Sequence, residues 1–141
     1  MKTILLFIFV LALTFFSKSL HAQTGKTIVR LQEAEQICLD SGVNMLGCAR
    51  NFYFQMDSLL NVVYLQLRSR LDSSQKRSLK KEQKLWLIKR DAFFKKTLAE
   101  FKKKNPGRSE DTAQDDAMFM YEDNSTFVKN RILNLMSRLG K

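Results

Sequence analysis

Polar side chains that could carry out chemistry fall at helical spacing in two segments of the sequence. Asp57, Asn61 and Tyr64 lie three or four positions apart, so one face of a helix carries all three. Gln83, Trp86 and Arg90 share a face of a second helical segment in the same way. If the chain turns near residue 73, antiparallel pairing brings the two faces together without aligning them perfectly.

Two roles are open to this polar set. Asp57 and Asp91 could act as the paired carboxylates of a glycosidase, but nothing in their spacing places them on a shared substrate. We favour a structural role, in which Arg90 forms a charge-assisted network with Asp57 or Asn61 inside the hairpin. On that hypothesis Arg90→Ala loses several kcal/mol, because a buried partner is left unpaired. Near-unchanged stability with altered binding would instead mark Arg90 as a functional residue.

Residues 1–22 have the layout of a secretory signal peptide. A short positive start is followed by an apolar run from Ile4 to Phe16 and by a polar stretch that ends in Ala22. The apolar run is shorter than the about 20 residues that a spanning helix needs. We therefore expect cleavage after Ala22 and a periplasmic or secreted protein, with residues 23–141 forming one domain and no transmembrane segment in the mature chain.

Export removes the only histidine, His21. The mature chain then has no imidazole base and no histidine metal ligand, which disfavours Ser/His, Cys/His and zinc chemistry. We expect a protein that is not an enzyme and needs neither metal nor cofactor. Cys38 and Cys48 are the only cysteines, and an even count in an exported chain predicts a disulfide between them.

Apolar residues recur at three- and four-residue spacing along the mature chain, which predicts an all-α fold. The expected architecture is a small bundle built on a long antiparallel helical hairpin. Trp86 and the neighbouring phenylalanines are expected in its core. A break at Asn124-Ser125 is a further possibility. The predicted helices span Thr27–Ile37, Ala49–Leu71, Gln75–Lys104 and Ala117–Leu139.

The formal net charge of +10 is distributed unevenly. Residues 76–108 hold 13 basic side chains against three acidic ones, whereas residues 110–123 hold six acidic and no basic ones. One interpretation is a solvated basic helix that the acidic segment folds back to neutralise. The other is attraction to an anionic envelope surface, whereas nucleic acid is not expected as a partner. The lysines that would carry this attraction are Lys80, Lys81, Lys84, Lys95, Lys96, Lys102 and Lys103.

Three motifs in this order resemble the signatures of a known family. They are Asp57-x-x-Leu60-Asn61-x-x-Tyr64, Leu79-x-x-x-Gln83-x-x-Trp86-x-x-x-Arg90-Asp91 and Arg131-x-x-x-Leu135. After a signal peptide and a cysteine pair, they resemble the LprI-like N-terminal domain family of secreted bacterial lysozyme inhibitors. Family members commonly carry a cysteine where this chain has Phe94, with a partner further on. The sequence leaves open whether the last helix docks firmly without that second bridge.

The resemblance implies a non-enzymatic binding protein that blocks the substrate cleft of a lysozyme by steric occlusion. Another envelope protein is the alternative partner. Its motif residues are expected to be structural. A basic inhibitor would repel a basic lysozyme unless its acidic segment makes the contact. The candidate interface is therefore Glu110, Asp111, Asp115 and Asp116. The alternative function is an envelope-associated structural module that binds an anionic surface through its basic helix.

Overall fold

The structure, a computed structural model, describes residues 23–139. The signal peptide expected at residues 1–22 lies outside the described residues. The described chain is entirely helical and loop, without a strand, as the all-α prediction requires. Its elements are α1 (residues 23–40), α2 (Met45–Ser69), α3 (Ser73–Lys104), a short 3-10 turn (Glu110–Thr112) and α4 (Gln114–Met136).

Local sequence explains where the helices begin and end. Asn44 precedes α2 and accepts a hydrogen bond from the Gly47 amide at 3.2 Å, which satisfies a free donor of the first turn. Asp72 starts α3 with a capping box, because its carboxylate accepts from the Gln75 amide while the Gln75 side chain accepts from the Asp72 amide. At the other end of α3 the chain turns away through Gly107 at φ +74°.

The helices α2 and α3 form the expected antiparallel hairpin. The rings of Tyr53 and Phe94, one on each helix, lie 5.6 Å apart. The last helix, α4, runs parallel to α2 and contacts it more extensively than it contacts α3. Tyr121 of α4 lies 5.8 Å from Tyr53 near one end, and Arg70 donates to the Leu139 carbonyl at 3.2 Å near the other.

The core lies where α2, α4 and α1 meet, with α3 closing one side. Helix α4 docks firmly, since Ala117, Val128, Ile132 and Leu135 are fully buried although no second disulfide holds it among the described residues. The main core consists of Ile28, Phe52, Met56, Leu60, Val63, Leu67, Leu79, Val128, Ile132, Leu135, Met136 and Leu139. A smaller cluster at one end consists of Leu46, Phe101, Ala113, Ala117 and Met120.

The expected break at Asn124-Ser125 is wrong, because α4 is continuous through it. Both side chains are buried and satisfied within the bundle. The Thr97 hydroxyl donates to Asn124 Oδ1 at 2.9 Å, and the Ser125 hydroxyl donates to the Glu122 carbonyl at 2.9 Å. Asn124 thus has a side-chain partner on α3, and Ser125 bonds back to the carbonyl three residues earlier, a contact made within the continuous helix.

The predicted helix boundaries differ from the observed ones by a few residues. Helix α1 is longer than the Thr27–Ile37 prediction at both ends, α2 begins at Met45 and α4 begins at Gln114. The early start of α2 follows from Asn44, which caps the helix from a left-handed conformation at φ +52°. No helix among the described residues combines the length and apolar character that crossing a bilayer requires.

Candidate functional site

The bundle has two ends of different character. At one end, Cys38 at the close of α1 is bridged to Cys48 in the first turn of α2, with their Cα atoms 5.8 Å apart, so the predicted disulfide is confirmed. The acidic segment meets the same end, because Leu46 packs against Ala113 and Ala117. We call this part of the molecule, formed by residues 37–50 and 105–117, the disulfide end.

The link between α1 and α2 presents apolar side chains to solvent at the disulfide end. Ile37 is 72% exposed, Val43 is 73% exposed and Met45 is 36% exposed. We call residues 37–45 the tip. Nothing in our reading of the sequence marked these side chains as a binding surface. The sequence signal that could have identified them is one isoleucine, Ile37, and one valine, Val43, on either side of the Ser41-Gly42 turn and close to Cys38.

The acidic segment is partly held by internal contacts. Arg50 Nη2 lies 2.9 Å from Glu110 Oε2, which also accepts a hydrogen bond from the Tyr121 hydroxyl at 3.0 Å. Asp116 pairs with Lys104 and accepts from the Asn105 amide group, and its pKa is lowered chiefly by the hydrogen bond from Lys104. Two of the four candidate interface residues are thus engaged within the bundle.

The other two candidate interface residues face solvent. The Asp111 side chain is 80% exposed and lies 3.7 Å from Arg50, and Asp115 is exposed as well. These two carboxylates are therefore the most accessible members of the set, and the contact of Asp111 with Arg50 is a long ion pair that leaves its side chain exposed.

A second acidic stretch joins this one in space. Residues 31–49 contain three acidic side chains and no lysine or arginine, in a chain that carries 24 basic residues. Within this stretch Glu35 faces α4. The pKa of the Glu35 carboxyl is raised to about 7, chiefly by burial and also by the Glu122 carboxylate, while Lys129 opposes the shift. The sequence analysis did not single out Glu35, because its environment depends on how α1 packs on α4.

Residues of the first two family motifs line an open groove between α2 and α3. The groove has a volume of about 270 Å³. Its lining is Asp57, Leu60, Asn61, Tyr64, Lys80, Gln83, Lys84, Leu87 and Arg90. Six of the nine residues named in the first two motifs therefore border solvent-accessible space, whereas Leu79, Trp86 and Asp91 lie outside this lining.

The predicted network around Arg90 lies at the rim of the groove. Arg90 Nη1 is 3.6 Å from Asp57 Oδ1, and these side chains are 25% and 36% exposed. The stronger contact is local, since Arg90 donates from Nε and Nη2 to Asp91 Oδ1 at 3.0 and 2.8 Å. Asn61 takes no part in this network and is exposed. The arrangement is an accessible ion-pair cluster and not a buried one.

The more buried polar network joins α3 to α4 through Arg131. Its side chain is 6% exposed and pairs with Glu82 at 2.7 Å, while Glu82 also pairs with Arg138 at 2.8 Å. The hydrogen bonds from these two arginines hold the pKa of Glu82 below its usual value, although burial opposes them. Glu82 was not identified from the sequence, since the register of α3 against α4 decides which carboxylate Arg131 meets.

Aromatic side chains fill the space between α3 and α4. Phe127 stacks on Phe93 at 4.6 Å and on Trp86 at 5.8 Å. Trp86 is half-buried against the core, and the guanidinium groups of Arg90 and Arg131 lie 5.8 and 5.9 Å from its ring. Part of the ring remains accessible, since Trp86 and Phe127 line an open pocket of about 480 Å³ between α3 and α4.

The seven lysines of the anionic-surface hypothesis are all exposed. Among them, Lys96 forms an ion pair with Glu100 at 3.7 Å. These lysines lie along the whole length of α3, so the basic surface is a long strip and not a pocket. Within residues 23–139, no group of three His, Cys, Asp or Glu side chains is arranged to hold a metal ion.

Fold and site together define a small, disulfide-bridged helical bundle with an accessible groove between α2 and α3 and with exposed charged and apolar side chains. Residues 38–125 match the lysozyme inhibitor LprI family, and the chain belongs to that family. The match begins at the first bridged cysteine and ends within α4, before Arg131. No curated protein and no solved structure matches the chain. Membership indicates a lysozyme-inhibitor-like function and a secreted or periplasmic location.

Proposed function

We propose that this protein is exported by a signal peptide at residues 1–22 and inhibits a lysozyme by covering its substrate cleft. The observation that carries the proposal is the family match over residues 38–125, which includes the disulfide end, the α2–α3 hairpin and the acidic segment. Inhibition by occlusion requires no catalytic group, only a stable surface that fits the enzyme.

The acidic segment is the proposed contact with a basic lysozyme. Asp111 and Asp115 are its exposed carboxylates, whereas Glu110 and Asp116 position the segment through Arg50 and Lys104. Complementary charge speeds association and suppresses wrong partners. The overall positive charge does not oppose this, because much of it lies on α3 and the acidic groups are concentrated elsewhere.

The direct test is inhibition of bacterial cell-wall lysis. The full 141-residue chain is expressed in a bacterial host, recovered from the periplasm or medium, and added to a panel of lysozymes in a turbidity assay. The mass of the recovered protein checks cleavage after Ala22. Inhibition of a basic lysozyme is expected, and failure to bind or inhibit any lysozyme in the panel would overturn the proposal.

The contribution of the acidic segment is tested by Asp111→Lys combined with Asp115→Lys. Weaker inhibition is expected, chiefly through slower association at low salt. A matched charge change outside the tip and the acidic segment, Glu33→Lys with Asp91→Lys at two exposed positions, measures how much of the loss comes from net charge alone. If the Asp111/Asp115 variant inhibits as well as the unchanged protein, the acidic segment is not the interface.

A second function is favoured by the exposure of all seven α3 lysines. In this alternative the protein associates with an anionic envelope surface through α3. Vesicles containing anionic lipid would then bind the protein at about 50 mM salt and release it at about 300 mM, because salt screens exposed charges. Absence of vesicle binding at low salt would remove this alternative.

A further inference from the structure

The tip has the features of a segment that inserts into a cleft of a partner protein. Three large apolar side chains, Ile37, Val43 and Met45, are exposed within nine residues, although the bundle has a core that buries others of their type. Exposure of this kind contributes nothing to folding of the single chain, since the hydrophobic gain requires removal of apolar area from water. It becomes favourable when a partner covers the side chains.

The tip is also held in one shape. The Cys38–Cys48 bridge closes it, and Gly42 and Asn44 occupy left-handed conformations at φ +67° and +52° on either side of Val43. The Ser41 hydroxyl donates to the Cys38 carbonyl at 2.6 Å and accepts from the Val43 amide at 3.2 Å. A segment already fixed in its bound shape loses less conformational entropy on binding.

Charge around the tip matches a basic enzyme with an acidic cleft floor. Residues 41–45, the outermost part of the tip, carry no charge. A neutral apex does not repel the pair of carboxylates that glycoside hydrolases use. Asp40 and Asp111, further back on the disulfide end, would face the basic rim of such an enzyme.

The position of the tip leaves it unobstructed by the described chain. Gly25 lies beside Met136, and Leu139 contacts Arg70 at the turn between α2 and α3, so both ends of the described chain lie away from the tip. With α1 rising about 1.5 Å per residue, residue 23 is about 25 Å from Asp40.

From these observations we infer that the tip is the element that enters the substrate cleft of a basic lysozyme, with Val43 at its apex. The inference rests on the proposed function and adds the part of the surface that does the blocking. The acidic segment then acts beside the tip as a charged rim, and the lysines of α3 have no part in inhibition.

The test replaces the exposed apolar groups of the tip by Ile37→Ser combined with Val43→Ser. Inhibition of a lysozyme that the unchanged protein inhibits is expected to weaken at least about 30-fold, the size of loss seen when a buried interface anchor is truncated. The matched control is Val62→Ser combined with Leu65→Ser, two exposed side chains of α2 that are 47% and 59% exposed. Val62 lies about 25 Å along α2 from Met45.

The outcomes separate the two proposals. If the unchanged protein inhibits and only the tip variant loses inhibition, the inference holds. If both variants inhibit like the unchanged protein, or both lose inhibition equally, the tip is not the inserting element while lysozyme inhibition stands. If the unchanged protein inhibits no lysozyme, the proposed function itself fails. Urea unfolding of both variants, expected to match the unchanged protein, excludes loss through misfolding.

Discussion

Arg131 holds Gln83 through two hydrogen bonds to one oxygen, from Nε at 3.0 Å and from Nη2 at 2.9 Å to Oε1. The contact links α4 to α3 across 48 residues of sequence. Because Arg131 is nearly fully buried, it depends on Gln83, Glu82 and Asn134 for its hydrogen bonds. The amide of Gln83 also lines the α2–α3 groove, so one residue connects the buried network to an accessible surface.

Gln83→Ala should therefore destabilise the protein by about 1–3 kcal/mol, since two donors of a buried guanidinium lose their acceptor. Urea unfolding followed by circular dichroism measures the change. The neighbouring substitution Lys84→Ala removes an exposed side chain and should change the free energy of unfolding by less than about 0.5 kcal/mol. Equal effects from the two substitutions would contradict the importance of the Arg131 contact.

Arg90→Ala should cost far less than Arg131→Ala. The sequence predicted a loss of several kcal/mol for Arg90, but its pair with Asp57 spans 3.6 Å and both side chains are partly exposed. Exposed ion pairs contribute about 0–1 kcal/mol, and we expect a loss of that size plus a small loss of packing on Trp86. Thermal unfolding of both variants under the same conditions makes the comparison, and a larger loss for Arg90→Ala would reverse it.

Glu35 should make the protein less stable as the pH rises from 4.5 to about 7. Its pKa is higher in the folded than in the unfolded chain, so in this range the folded state binds more protons and stability falls with increasing pH. Glu35→Gln should remove this part of the pH dependence and stabilise the protein at about pH 8 more than at about pH 5. Urea unfolding at both pH values measures the difference.

Glu33 provides the control for that measurement, since it is exposed and lies on the same helix. Glu33→Gln measures the effect of removing one exposed carboxylate from α1 under the same conditions. If Glu35→Gln and Glu33→Gln change the free energy of unfolding by the same amounts at the two pH values, then burial and repulsion from Glu122 do not raise the pKa of Glu35.

Loss of the disulfide should lower both stability and inhibition. Replacing Cys38 and Cys48 by serine opens a loop with a sequence separation of 10, which costs about 3 kcal/mol in the chain-entropy account. The tip also loses its fixed shape, so inhibition should weaken even at temperatures where the variant remains folded. Unfolding curves and turbidity assays on the same sample measure the two effects. Stability reduced with inhibition unchanged would separate the bridge from the binding surface.

Sequence patterns predicted what depends on neighbours along the chain. The spacing of Phe52, Met56 and Leu60 indicated α2 and its buried face, and Asp72 indicated the start of α3. What depends on partners far along the chain was missed. The sequence suggested a helix break at Asn124. Its partner Thr97 is 27 residues away, and no local pattern shows that contact.

The candidate site divides in the same way. The disulfide followed from counting cysteines, and the accessible lysines of α3 followed from composition. The accessibility of Arg90 could not be predicted, because helical spacing gives the face of a helix and not the distance between two helices. The tip was missed for another reason: exposed valine and isoleucine side chains in a sequence are indistinguishable from core residues until the core is known.

The parallel arrangement of α2 and α4 has a consequence for how the chain reaches its folded state. Arg50 contacts Glu110 and Arg70 contacts Leu139 across separations of 60 and 69 residues. The two parallel helices, α2 and α4, are therefore synthesised at well-separated times. Contacts of high sequence separation form late and slowly. A growing chain therefore has α1, α2 and α3 without the helix that completes their core. Such a chain cannot fully bury the apolar side chains of α1 and α2 until α4 has been synthesised and has docked.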